Sequence, residues 1–363
     1  MMKNSFGNQI TVTLFGESHG EMIGAVIDGL APGIAVDTDA ITAKLKQRRP
    51  TGRISTARQE SDPFRIVSGA HNGYTTGTPI TILIPNENTK CSDYSAMAST
   101  PRPGHADYAA TCKYHGYEDK RGGGHFSGRI TAALVAAGAL IASALEKKGV
   151  KIGTHISYLH GICDRGFVNF SEDIDLLSTK YFPTLDKDSE EEMVGVIESA
   201  ASAGDSVGGI LETAIIGVPA GVGEPWFDSA ESILSHILFS IPGIKGVEFG
   251  AGFGAADMCG SEMNDSLITD GVTVKTETNN NGGINGGITN GMPITLRCAV
   301  KPTPSIFKPQ MTVDLNSMTP CQLEIKGRHD PAIIHRARAV VDAACAIAIA
   351  DLLTVRYGTD YLA

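Results

Sequence analysis

Apolar and polar positions along the chain follow two periods. Short runs rich in β-branched and aromatic residues predict strands at residues 10–15, 25–28, 79–84, 151–158, 210–218, 272–276 and 294–300. Apolar residues spaced three and four apart predict helices over 39–48, 106–115, 130–148, 190–203, 229–239 and 332–354. The 130–148 stretch is apolar and alanine-rich on nearly every face and stops at Gly149. A helix with no polar face belongs between layers, so an α+β fold with sheets enclosing buried helices is expected. The Pro- and Gly-bearing stretches 183–186 and 220–223 are too short for free linkers, and the apolar pattern resumes after each. A single domain over 1–363 follows.

Composition refines that picture. With 363 residues and 42% apolar content, the chain can bury a large core without disulfides or a structural metal. The seven cysteines are scattered and form no Cys-x-x-Cys pair, so they read as ordinary buried thiols. Residues 1–9 are polar, and the apolar stretch 130–145 is shorter than the ~20 residues of a membrane span. A soluble cytoplasmic protein that meets no membrane is expected. The formal net charge of −10 argues against a nucleic-acid partner. Arginines nevertheless cluster locally, which points to a small anionic ligand, because a guanidinium fork matches carboxylate and phosphate.

The chemistry is carried by short motifs. Phe15-Gly16-Glu17-Ser18-His19-Gly20 follows a strand and formally matches the Gly-x-Ser-x-Gly of a hydrolase elbow, but the next residues read as another strand rather than a helix. Taken alone, His19 reads equally as a hydrogen-bonded turn residue and as a catalytic one. Gln47-Arg48-Arg49-Pro50-Thr51-Gly52-Arg53 closes a helix, where arginine also offsets the helix dipole. Arg102-Pro103-Gly104-His105-Ala106-Asp107 joins a turn to a helix that Asp107 or a neighbour caps, and His105 alone is equally open. Arg121-Gly122-Gly123-Gly124-His125-Phe126-Ser127-Gly128-Arg129 opens into the apolar helix. Its glycines, hydroxyl and arginines form a ready anion site. Lys301-Pro302-Thr303-Pro304-Ser305 follows a strand, and Asp330-Pro331 reads as an N-cap with proline at the first helical position of the last helix.

In order along the chain, these motifs together with Gly282-Gly283-Ile284-Asn285-Gly286-Gly287 resemble chorismate synthase over almost the whole length. The resemblance implies a β-α-β sandwich, a homotetramer, and an FMNH2-dependent 1,4-elimination of phosphate from 5-enolpyruvylshikimate 3-phosphate to give chorismate. It implies that His19 protonates the departing phosphate, that His105 donates a proton near flavin N1, and that Asp330 is the base acting at flavin N5. Arg48, Arg53, Arg102, Arg129 and Arg328 would bind the substrate's carboxylates and phosphate, with NADPH as reductant placed near Arg48 and Arg53. His125, Phe126, Ser127, Pro242, Gly243, Gly286, Lys301, Pro302, Thr303, Pro304, Ser305 and Arg328 would contact reduced FMN. Many members carry Arg-Ser-Ser-Ala-Arg-Glu-Thr where this chain has residues 125–131, and Asn-Ala where it has Pro242-Gly243. Two rivals stand beside this reading: a serine hydrolase using Ser18, and a flavin- or nucleotide-binding module without catalysis.

Overall fold

A layer of helices separates two antiparallel five-stranded sheets in the computed structural model, which describes residues 4–50, 52, 54–55, 61–87, 99–325 and 329–363. The first sheet comprises Ser5–Phe6 (β1), Thr11–Gly16 (β2), Met22–Asp28 (β3), Arg65–Ser68 (β4) and, beyond the small hairpin Ala70–His71 (β5) and Tyr74–Thr75 (β6), Ile80–Pro85 (β7), ordered β1-β2-β3-β7-β4. Strict alternation in β7 buries Ile80, Ile82 and Ile84 on the side that faces the helices. Lys151–Leu159 (β8), Ile162–Cys163 (β9), Gly209–Ile216 (β10) and Ile244–Phe249 (β11) belong to the second sheet. After two short hairpins, Leu267–Thr269 (β12) with Val274–Thr276 (β13) and Ile284–Asn285 (β14) with Ile288–Thr289 (β15), Ile294–Val300 (β16) completes the order β11-β16-β10-β8-β9.

The helices are Thr38–Arg48 (α1), Asp107–Tyr114 (α2), Thr131–Lys147 (α3), Phe170–Thr179 (α4), Lys187–Ser202 (α5), Ala230–Ser240 (α6), Gly260–Met263 (α7) and Ile334–Tyr357 (α8). Helix α3 packs on β3 and β7 and lies along α8, which in turn covers β8 and β10. The two helices cross closely at Gly138, where an added Cβ would fall 2.4 Å from the Ala343 Cβ. Gly128–Lys147 is apolar and long enough to cross a membrane, contrary to the length read from the sequence, but 78% of its apolar window is buried inside the fold. Asp351 of α8, almost fully buried, accepts the backbone N–H groups of Asn8, Gln9 and Ile10 and so fastens the start of the chain to the core.

Several local expectations are corrected. Helix α4 leaves no clear periodic trace in the sequence, because its ten residues bury only Asp173, Ile174 and Leu177. Helix α5 begins after Asp186, whose carboxylate takes the Asp188 N–H, rather than after Ser189. Only Val274–Thr276 of the 272–276 run is a strand, and it pairs outside both main sheets. Among the described residues, Cys112, Cys163 and Cys259 are exposed and Cys321 is half-buried, so there the buried-thiol reading holds for Cys298 and Cys345 alone; Cys91 lies outside the described residues.

On the second sheet, His155 is fully buried between two carboxylates, with Nδ1 2.8 Å from Asp164 and Nε2 2.8 Å from Glu212. Burial alone would depress the imidazole, but the hydrogen bonds to Asp164 and Glu212 outweigh it and raise the pKa above 6.5. The imidazolium therefore stabilises the fold fully below about pH 6.5, and this contribution is lost as pH rises through the raised folded pKa. Urea unfolding of the parent is expected to show stability falling on the alkaline side of pH 6.5, with His155→Gln flattening that slope. An equal slope in the variant would place its origin elsewhere.

Candidate functional site

Three successive glycines bring two histidines together. Gly122, Gly123 and Gly124 have φ of +58°, +87° and +54°, a left-handed run that breaks the turn Arg121–Phe126 and lets its backbone lie flat against its neighbours. A Cβ on Gly122 would sit 2.1 Å from His19 Cε1, and one on Gly123 would sit 3.1 Å from His105 Cε1. His19 lies in the turn between β2 and β3, and His105 lies in the turn that enters α2. The glycine loop is thus the floor between the two rings.

Each ring is held through Nδ1. Ser18 Oγ is 3.0 Å from His19 Nδ1 and donates toward the carbonyls of Arg121 (3.2 Å) and Gly122 (3.3 Å), so it accepts from Nδ1–H. Ser18 is wholly buried, its N–H donates to Gly124 O, and the chain runs strand–turn–strand around it. A hydrolase nucleophile must stand exposed at a strand–helix turn, so the serine hydrolase reading falls. His105 Nδ1 lies 2.6 Å from Asp107 Oδ1, and Arg102 clasps the same carboxylate through Nε (2.7 Å) and Nη2 (2.8 Å). Asp107 does not cap α2, as the motif had suggested. Burial would raise its pKa, but the hydrogen bonds from Arg102 and His105 hold the carboxyl far below the usual range.

A second cluster gathers around Asp62, a carboxylate the sequence did not single out. Arg129, at the mouth of α3, contacts Asp62 Oδ1, and Arg48 Nη2 and Arg49 Nε approach Oδ2 at 3.5 and 3.6 Å. Arg48 and Arg129 are each 6% exposed, so Arg48 is far more than a helix-dipole counter-charge. Three guanidinium groups around one carboxylate leave a net positive site suited to a small polyanion. Asn86 ties this cluster to His19: its Oδ1 accepts Arg129 Nε (3.0 Å), while its Nδ2 donates to the carbonyls of Glu17 and Gly20 (2.9 Å each) that flank the histidine. Arg102 belongs with His105 and not with this cluster. Arg53 and Arg328 lie outside the described residues.

Arg336 of α8 links the cluster to Asp330, donating from Nε to Arg48 O (2.9 Å) and from Nη1 to Asp330 Oδ2 (2.7 Å). Asp330 does not cap α8, which starts at Ile334, and the Pro331 carbonyl receives the Val207 N–H. Neither Asn86 nor Arg336 carries a sequence signal, since Asn86 works through contacts more than forty residues away and Arg336 reaches the Arg48 carbonyl 288 residues away.

The residues assigned to flavin by resemblance divide. Lys301 Nζ reaches Gly104 O (2.5 Å) and Pro304 packs beside Gly104, so the 301–305 segment meets the His105 turn, while Gly243 O takes the Lys301 N–H (2.9 Å). Among the described residues, Thr303 Oγ1 is buried without a hydrogen-bond partner, a polar atom of the kind a bound cofactor satisfies. These residues fit the group. Gly286 is open, with nothing within 4 Å of an added Cβ, but its neighbour Gly287 packs on Ser229 at the start of α6, whereas Pro242 follows its end. The side chains of 125–127 serve the fold: His125 Nδ1 donates to Gly16 O, Phe126 packs edge-on against Tyr114, and Ser127 caps the turn into α3.

Residues 10–354 match the family model described as chorismate synthase. The chain is similar to the chorismate synthase of Thermococcus gammatolerans, 47% identical over 96% of this chain and 97% of that one. It is also similar to that of Pyrococcus abyssi, 46% identical over the same shares. A solved structure described as a crystal structure of chorismate synthase superposes with a TM-score of 0.75 at 27% identity, covering 97% of this chain and 94% of that one.

Proposed function

The chain belongs to the chorismate synthase family, lyases that convert 5-enolpyruvylshikimate 3-phosphate to chorismate, and on that premise we propose that His19, His105 and Asp330 handle its protons and that the Arg48–Arg129 cluster holds its substrate. The observation that carries this reading is the pair of histidines seated on one glycine floor, joined through Asn86 to a buried arginine cluster. His19 Nε2 delivers a proton to the phosphate oxygen as the C–O bond breaks, which lowers the charge on the leaving group. Arg48 and Arg129 pair with the substrate's anionic groups, and their fixed geometry, set by Asp62 and Asn86, means little reorganisation on binding. His105 holds a proton on the far side of the glycine floor, and the Asp330 carboxylate, oriented by Arg336, accepts one. Reduced FMN, which the family requires, supplies transient electron density to the breaking bond when bound, and Lys301, Thr303, Ser305 and Gly243 are the residues that would hold it.

Chorismate formation is expected in an anaerobic assay with dithionite-reduced FMN and the phosphorylated enolpyruvyl substrate. Sustained turnover in air with oxidised FMN and no reductant would overturn the reading. Arg48→Ala and Arg129→Ala are each expected to weaken substrate binding by about 2–4 kcal/mol, because a desolvated anion loses its partner. Calorimetric affinities unchanged in both variants would remove the pair from the site.

A further inference from the structure

The turn that carries His105 is built more heavily than anion binding by Arg102 requires. An arginine that recognises a ligand presents an open fork, yet Arg102 spends its backbone N–H (3.0 Å), Nε (2.7 Å) and Nη2 (2.8 Å) on the Asp107 carboxylate. The remaining contact of Asp107 Oδ1 is His105 Nδ1 at 2.6 Å. Arg102 Nη2 also lies 3.0 Å from that nitrogen. A guanidinium N–H and an imidazole N–H cannot both point at each other, so this crowding is tolerable only because Asp107 accepts from both.

We infer that Asp107 is a positioning residue for His105, fixing the imidazole with its proton on Nδ1 and its Nε2 toward the glycine floor, and holding the protonated ring in place beside Arg102. This rests on the reading of His105 as a proton donor. Arg102 then acts chiefly as the clamp that immobilises the carboxylate, and its approach to His105 is a cationic cost that Asp107 offsets. The other ionisable groups around the turn are Glu118, Asp119 and Lys120, which line the same cleft from the segment before the glycine loop. Lys301 donates to the Gly104 carbonyl, and His329, from the segment before α8, feels the charges of both Arg102 and Asp330. The carboxylate that meets Nδ1 is that of Asp107, with Arg102 Nη2 as the cation beside it. The Nδ1 of His19, by contrast, meets the Ser18 hydroxyl.

The test is 15N NMR of histidine-labelled protein, with His105 assigned by its loss in His105→Gln, over a pH titration of the parent, Asp107→Asn and Asp107→Glu. In the parent, neutral His105 is expected to carry its proton on Nδ1. In Asp107→Asn its protonation midpoint is expected to fall by about 1 pH unit or more, the shift that follows loss of a contacting opposite charge, with partial recovery in Asp107→Glu. Neutral His105 protonated on Nε2 in the parent overturns the inference without any variant, as does an unchanged midpoint in folded Asp107→Asn. The limb of the kcat–pH profile is expected to move with the NMR midpoint. A moved midpoint with an unmoved profile leaves Asp107 as the positioner and removes His105 from the catalytic reading.

Discussion

Gly122→Ala is expected to lower kcat by roughly 10²–10⁴-fold, the span a positioned general acid contributes. The residue sits at φ +58°, where an L side chain costs about 1–2 kcal/mol, and its new Cβ would lie 2.1 Å from His19 Cε1 and 2.3 Å from Nδ1. The loop backbone cannot retreat easily, because the Gly124 carbonyl takes the Ser18 N–H and the Arg121 and Gly122 carbonyls take the Ser18 hydroxyl. The imidazole must therefore swing away and give up its Ser18 contact. Stability is expected to drop by only about 1–3 kcal/mol, since one strained residue and one displaced ring leave the core untouched. A thermal melt and a reduced-FMN assay read both effects. Parental turnover in the variant would show that His19 does its work from somewhere other than this seat.

Asp330→Asn separates charge from shape. The amide oxygen can still accept from Arg336 Nη1, which now spans 2.7 Å to Asp330 Oδ2, so the link to the Arg48 carbonyl survives in weakened form. Because Asp330 caps no helix, the variant loses an ion pair rather than an N-cap. With side chains 15% and 17% exposed, that loss is expected to cost about 1–3 kcal/mol, as for a hydrogen bond to a charged group. An amide cannot accept a proton at the pH of catalysis, so kcat is expected to fall by roughly 10²–10⁴-fold with flavin still bound. Full activity would leave Asp330 as no more than the partner of Arg336. Loss of flavin binding together with activity would assign it to holding the cofactor instead.

The local pattern determined a large part of the molecule. Alternation in residues 80–84 and 294–300, and the all-apolar face of 130–148, determined which segments are strands and that one helix lies between sheets, because burial on one or both faces leaves a periodic trace in sequence. The ordered Gly, Arg and His motifs determined the family, and Gly122 and Gly123 among them mark backbone that must reach φ > 0 beside a ring, where glycine has little alternative. What only the tertiary structure decided lies in contacts between distant segments. Asp62 is one acid among forty Asp and Glu residues until α1 and α3 bring Arg48, Arg49 and Arg129 to it. Asn86 and Arg336 have ordinary neighbours in sequence, and their roles exist only because β7 meets the His19 turn and α8 meets the end of α1. The Asp330-Pro331 pair shows the limit from the other side: its dipeptide signature is that of a helix start, but the Pro331 carbonyl takes the Val207 N–H, the Asp330 carboxylate takes Arg336, and the helix starts only at Ile334. Periodicity records which face is buried; it carries no record of which distant side chain will complete a hydrogen bond, and that pairing is where the site is made.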